Sequence, residues 1–290
     1  MKPAAFDYYR AQSMDEASEL LSEYGDDAKI LAGGQSLIPA MNFRLATPKV
    51  LIDISNIENR NQIQNDFTGI KVTGTTLQRF LEQSKAVREE IPVLYEAIRN
   101  IGHVQIRNKG TVGGSISHAD PASELPAVSL VLDAEYEITN NSKQYSIAAE
   151  DFFITYMTTL LQPDEILTGI QFKKPPKNSG WGFHEIARRA GDFALAGSVA
   201  VIGLDARGKC THARLALFGV APTPVRAKEA ENMLIGQSYS PELLKEAAEK
   251  VNQVIDPEGD VHVTAEYRRK VAGVLALRSL EDAFRRVEVV

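Results

Sequence analysis

The chain has 290 residues, 44% of them apolar and 24% charged, with a formal net charge of −6. That length predicts two or three compact units with a real core, and the acidic balance argues against a nucleic-acid-binding surface. Residues 1–7 lack the apolar core of a signal peptide and no apolar run approaches membrane-spanning length, so a cytoplasmic protein without membrane insertion is expected.

Ser13-Met14-Asp15-Glu16 is a capping-box pattern that opens a helix with Ala17, Leu20 and Leu21 on one face, and Gly25 is placed to end it. Residues 29–32 read as a buried strand running into Gly33-Gly34, 37–45 as a helix and 50–54 as a second buried strand. Further on, 70–73 is a strand, Thr76 caps a short helix reaching Ser84, and 92–100 is a helix with Leu94, Ala97 and Ile98 as its apolar stripe. An apolar, strand-like approach leads into a second glycine pair, Gly113-Gly114, after which Ser123 caps a helix through Leu132. Residues 134–138 and 144–147 flank Asn140-Asn141 as a hairpin, and 165–172 is another strand. The breaker-rich, charged stretch 173–180 marks the clearest boundary. Beyond it come strands at 182–187, 198–204 and 213–218, then helices at 225–234 and 241–255. A long last helix from Thr264 places Tyr267, Val271, Val274 and Leu275 on one face. The expected architecture is α+β: α/β subdomains over 1–58 and 59–176, then a C-terminal domain over 177–290 with a small antiparallel sheet and helices.

Two glycine-paired segments carry the chemistry: Ala32-Gly33-Gly34-Gln35-Ser36 and Thr111-Val112-Gly113-Gly114-Ser115. Backbone N–H groups converge on a phosphate oxygen only where side chains leave room. One such segment alone would be a tight turn. A diphosphate is longer than one loop wraps, so the two together read as opposite walls of one anion site. The chain has no GxxxxGK(S/T), no GxGxxG opening a helix after a first strand, and no GxSxG. P-loop, Rossmann and nucleophile-elbow chemistry are therefore unsupported. Cys210 is the only cysteine, which excludes an intrachain disulfide and iron–sulfur or zinc–thiolate sites built from this chain, and it reads as an inert buried thiol. The five histidines show no close metal-ligand pairing. Any redox chemistry must ride on an organic cofactor or on partner chains.

Five segments in order carry a resemblance: residues 32–39, 105–115, 120–126, 188–194 and 266–270. Together they resemble the FAD-binding medium subunit of molybdenum hydroxylases, the family of the carbon monoxide dehydrogenase medium chain and the flavin domain of xanthine dehydrogenase, over essentially the full chain. The resemblance implies a PCMH-type FAD-binding fold. Ala32 would lead into a diphosphate wrap by the amides of Gly33, Gly34, Gln35 and Ser36, with Leu37 packed beside it. Thr111, Gly114 and Ser115 would bind the diphosphate and ribityl from the other side. Glu124 would lie near the flavin's polar edge or ribityl hydroxyls, Ile101 along the cofactor, Ile166 and Leu167 at its adenine end, and Phe193 over a face of the isoalloxazine. His184 falls where some members have a lysine, Ser115 stands where asparagine is common, and Phe193 replaces the tyrosine of some relatives.

The resemblance also implies partners and an electron path. A large subunit would hold the molybdopterin cofactor and a small one two 2Fe–2S clusters, in a dimer of heterotrimers. Electrons would reach FAD through the clusters and leave to an external acceptor, with no general acid or base and no metal in this chain. Two other readings compete. A stand-alone flavin oxidoreductase of the vanillyl-alcohol-oxidase-like fold would need its own substrate pocket with an acid, base or electrophile. A non-enzymatic nucleotide-binding or assembly protein would carry no flavin. Arg107 and Arg188-Arg189 stay open between anion binding and structural pairing, and Asp120 between a role like that of Glu124 and capping the next turn.

Overall fold

A computed structural model of the chain describes residues 1–287. Its first elements are β1 (Asp7–Arg10), α1 (Met14–Tyr24), β2 (Ala28–Leu31), α2 (Leu37–Asn42) and β3 (Val50–Asp53), with the strands parallel in the order β1-β3-β2. Ser13 Oγ accepts the Glu16 amide at 3.1 Å, and the Glu16 carboxylate accepts the amide of Gln12 at 2.6 Å, so the expected cap forms. Leu21 and Ala17 seal the sheet with Val50, Ile52 and Ile54. Strand β1 was not expected, because all four of its residues are exposed and carry no apolar alternation. Helix α2 ends three residues earlier than the sequence predicts, where Arg44 turns to φ 58°.

The middle region contains β4 (Ile63–Asn65), β5 (Gly69–Thr73), α3 (Gln78–Gln83), α4 (Lys85–Glu90), α5 (Pro92–Asn100), α6 (Val104–Arg107), α7 (Val112–His118) and α8 (Glu124–Val131). It continues through β6 (Glu135–Thr139), β7 (Gln144–Ala148), α9 (Ala149–Phe152), β8 (Phe153–Thr155), β9 (Thr158–Thr159) and β10 (Ile166–Lys173). Five strands form an antiparallel sheet, β4-β5-β10-β6-β7, and Asn140-Asn141 turns its hairpin. Thr76 bonds Thr73 rather than capping a helix, which starts two residues later. The approach to the second glycine pair is helical and not strand-like: α6 is one turn long, and Gly113-Gly114 lie inside the first turn of α7.

The C-terminal region holds β11 (Ser179–Ala187), β12 (Ala194–Leu204), β13 (Cys210–Phe218), β14 (Val225–Arg226), α10 (Lys228–Leu234), α11 (Pro241–Lys250) and α12 (Ala265–Arg285). Its four strands are antiparallel in chain order. One face packs on α5 and α8, and α8, enclosed by this sheet and by α5, α7 and α9, is buried all round. The other face is covered by α12, whose Ser279 hydroxyl donates to the Ser198 carbonyl at 3.1 Å. The buried stripe of α12 is Ala272, Leu275, Ala276, Ser279, Leu280 and Ala283, while Tyr267 and Val274 face solvent. Small residues let this helix lie close on the strands; of the stripe the sequence predicts, Leu275 is buried and Val271 packs beside it, while Tyr267 and Val274 do not.

Candidate functional site

The two glycine segments meet. A Cβ on Gly33 would overlap the Lys109 carbonyl and lie 2.8 Å from the Gly110 Cα, so only glycine permits this approach. Gly34 follows at φ 70°, the conformation that turns β2 into α2. On the other segment, a Cβ at Gly114 would lie 3.8 Å from the Ala32 Cβ. Residues nearly eighty positions apart thus form one surface.

The amides of the two segments differ in what they are free to do. Among the described residues, the N–H groups of Gly33, Gly34, Gln35 and Ser36 have no protein acceptor, while the Gln35 side-chain amide folds back onto the Gly33 carbonyl at 3.0 Å. Four consecutive free donors at the start of a helix suit an anion. In the second segment the amides are committed. Val112 donates to Thr76 O at 2.8 Å, Gly113 to Gly74 O at 2.9 Å and Ser115 to Thr111 O at 3.1 Å. Gly114 donates to Thr111 Oγ1 at 3.0 Å. This wall therefore offers hydroxyl donors: Thr111 Oγ1 still has its own proton to give, and Ser115 Oγ has no partner among the described residues. Charge fits as well. Residues 28–52 and 97–119 contain no Asp or Glu, although the chain carries 38.

Helix α7 leads from these segments to a cavity of about 580 Å³. At about 1.5 Å per residue its seven residues put the two ends roughly 10 Å apart, which suits an elongated ligand. Asp120–Ala122, Tyr156, Arg188, Phe193, His262 and Arg268 are among its lining residues. Phe193 is 57% exposed there, a free aromatic face. Arg188 donates to His262 Nε2 at 3.0 Å. Arg268 ties α12 to the cavity wall through Asp260 at 2.6 Å and the Gly219 carbonyl at 2.9 Å. The amides of His262 and Val263, with Arg268, hold the Asp260 carboxyl down at about 2.

The remaining expected residues fall in three places. Ile101 is buried in the middle core, and its carbonyl accepts from Arg107 at 2.8 Å. Leu37 starts α2 beside the free amides. Ile166 packs in the N-terminal core and Leu167 in the middle one, so the start of β10 joins the two. His184 is not brought to the cleft: its ring pairs with Asp282 on α12 at 3.1 Å. Arg107 is settled as structural, since it is buried and bonded to Glu82 at 2.9 and 3.2 Å and to loop carbonyls. Burial alone would raise the Glu82 carboxyl, but Arg107 and Arg79 outweigh it and hold it below its ordinary range.

Glu124 opens α8 and is buried; desolvation first, then the charges of Glu185 and Asp120, push its carboxyl up to about 8. Glu185 on β11 is raised to about 7 by burial. Sequence reasoning missed Glu185. The signal was present: it is the charged member of the alternating inward set Trp181, Phe183, Glu185. Cys210 is buried, and desolvation raises its thiol to about 11, as befits an unreactive side chain. Among the described residues no group of three His, Cys, Asp or Glu could hold a metal ion, and no helix is long and apolar enough to cross a membrane.

Two family models match the chain: the FAD binding domain in molybdopterin dehydrogenase over residues 4–175, and the CO dehydrogenase flavoprotein C-terminal domain over 181–283. Among similar proteins, the 6-hydroxypseudooxynicotine dehydrogenase complex subunit alpha of Paenarthrobacter nicotinovorans is 38% identical, covering 99% of this chain and 97% of its own. The carbon monoxide dehydrogenase medium chain of Afipia carboxidovorans is 36% identical, covering 98% of each. A solved carbon monoxide dehydrogenase from Hydrogenophaga pseudoflava superimposes with a TM-score of 0.96 at 34% identity, covering 99% of this chain and 100% of that one.

Proposed function

Because the chain belongs to the FAD-binding medium subunits of molybdenum hydroxylases, we propose that it is the flavin station of a three-subunit dehydrogenase. A large molybdopterin-bearing partner oxidises the substrate, a small partner with two 2Fe–2S clusters relays the electrons, and an external acceptor receives them. Two such heterotrimers pair, in the cytoplasm. Relatives named as a medium chain and as a complex subunit alpha support a multi-subunit setting.

When bound, FAD supplies the redox chemistry, taking up and releasing electrons. The chain's own residues bind and orient. The amides of Gly33 to Ser36 hold the diphosphate, and the hydroxyls of Thr111 and Ser115 close on it from the other wall. Glu124 accepts from the cofactor's polar donors, and Phe193 offers its aromatic face in the cavity beyond α7. His184, engaged with Asp282, orients α12 against β11 and takes no direct part.

The observation that carries this reading is the run of four unclaimed amides set against the Lys109–Gly110 backbone. It is tested with the FAD-loaded chain under anaerobic conditions. Small organic substrates alone should leave its yellow absorbance intact, and a reduced iron–sulfur partner should bleach it. Fast bleaching by an organic substrate without a partner would instead identify a stand-alone flavin oxidoreductase.

A further inference from the structure

Two acids without a paired cation lie where α8 and the inward face of β11 bound the middle core, and the charge of Glu185 acts on Glu124. Glu124 is only 5% exposed. Glu185 points from the face of β11 that carries Trp181 and Phe183 toward the middle core. Its cross-strand neighbour is Gly197, and the Phe218 ring lies where a Cβ of that glycine would be, so the wall beside the carboxyl is apolar. Among the described residues neither acid forms an ion pair or a hydrogen bond to another residue's side chain. Glu185 Oε2 is closed off from solvent with no partner at all. The other charged groups on these elements are engaged elsewhere: Arg99 on α5 with Glu96, Arg214 on β13 with Asp133, and His184 on the far face of β11 with Asp282. His212 on β13 lies within the Arg214–Asp133 group. Asp120, in the loop ahead of α8, is the remaining charge that acts on Glu124, and it has the same sign.

A buried acid with no counter-charge is costly unless it stays neutral or gains a hydrogen-bond donor. Two that feel each other's charge titrate as a pair and retain a proton near neutral pH. The cavity supplies the route for a donor, since Asp120–Ala122 line it immediately ahead of Glu124. Resting on the FAD reading above, we propose that Glu185 is a second acidic ligand of the cofactor: with Glu124 it shares a proton in the FAD-free chain, and the pair releases that proton to solvent when hydroxyl or imide N–H donors of the flavin take its place.

A ligand that prefers the ionised pair lowers its pKa, so the bound state holds fewer protons and affinity rises with pH, by up to about tenfold per pH unit for one proton. Calorimetric titration of the full chain with FAD, in two buffers of different ionisation enthalpy, counts the protons released. Wild type should release roughly one proton near pH 7. Glu185→Gln should release less than about half of that and lose most of the pH slope while still binding FAD. Glu124→Gln, which discharges the pair from the other side, should behave alike, and melting curves of the FAD-free variants report their folding. Binding with unchanged proton release in Glu185→Gln overturns the pair alone. Failure of the wild type to bind FAD overturns the flavin reading and the pair with it.

Discussion

Arg107 and Glu124 are both buried, and their surroundings give them opposite effects on stability. Arg107 sits among acceptors, with Glu82 and the carbonyls of Ile101 and Gly102 around its guanidinium. Arg107→Leu leaves Glu82 with Arg79 alone and the loop carbonyls without their donor, and should cost about 3 kcal/mol in urea unfolding at neutral pH. A depressed carboxylate stabilises above its unfolded pKa, so that difference should shrink as pH falls below about 4. Glu124 works the other way. Its raised pKa means the folded FAD-free chain must either keep a proton or bury a charge, a cost that begins at the ordinary carboxyl value of 4.5 and grows toward pH 8. Glu124→Gln should therefore leave the melting temperature of the FAD-free chain nearly unchanged at about pH 4 and raise its stability by on the order of 3 kcal/mol at pH 8. The close approach of Gly33 and the turn at Gly34 were legible because the glycine pattern is local, whereas Glu124 was singled out only through the family resemblance. Glu185 had a local signal in its alternation with Trp181 and Phe183, but the apolar wall that leaves it unpartnered, Phe218 over Gly197, comes from distant sequence.

At the scale of elements, periodicity read well where helices were long and strands half-buried, as for α1, α5 and the β6–β7 hairpin. It failed where elements were too short to show a period, as for α6. It held only in part on α12, where Leu275 and Val271 pack inward as read but alanine and serine complete the buried stripe and Tyr267 and Val274 stay in solvent. Ala276→Leu should overpack α12 against the sheet and cost about 2 kcal/mol, whereas Val274→Lys should fall within about 0.5 kcal/mol of wild type. Thr111 caps α7 by accepting the Gly114 amide. Thr111→Ala should cost about 1 kcal/mol and weaken FAD binding, since one change removes both the cap and a hydroxyl of the second wall.

Across the described residues, the three larger sheets stand on three apolar clusters, and the middle helices serve two of them at once. The site lies where these bodies meet. The parallel N-terminal sheet presents its free amides to the middle helices, and α7 carries that surface toward a cavity walled by both the middle and C-terminal regions. No single segment could show this, although the order of the glycine segments and their lack of acids are visible in the sequence. If the two segments form one clamp, separating their backbones removes the cofactor while each sheet keeps its own core. The direct measurement is a titration of FAD into the FAD-free full chain, with Gly33→Val beside wild type and melting curves to report folding. Wild type should bind one FAD per chain, and a folded Gly33→Val should bind none; stoichiometric FAD in Gly33→Val would contradict the clamp.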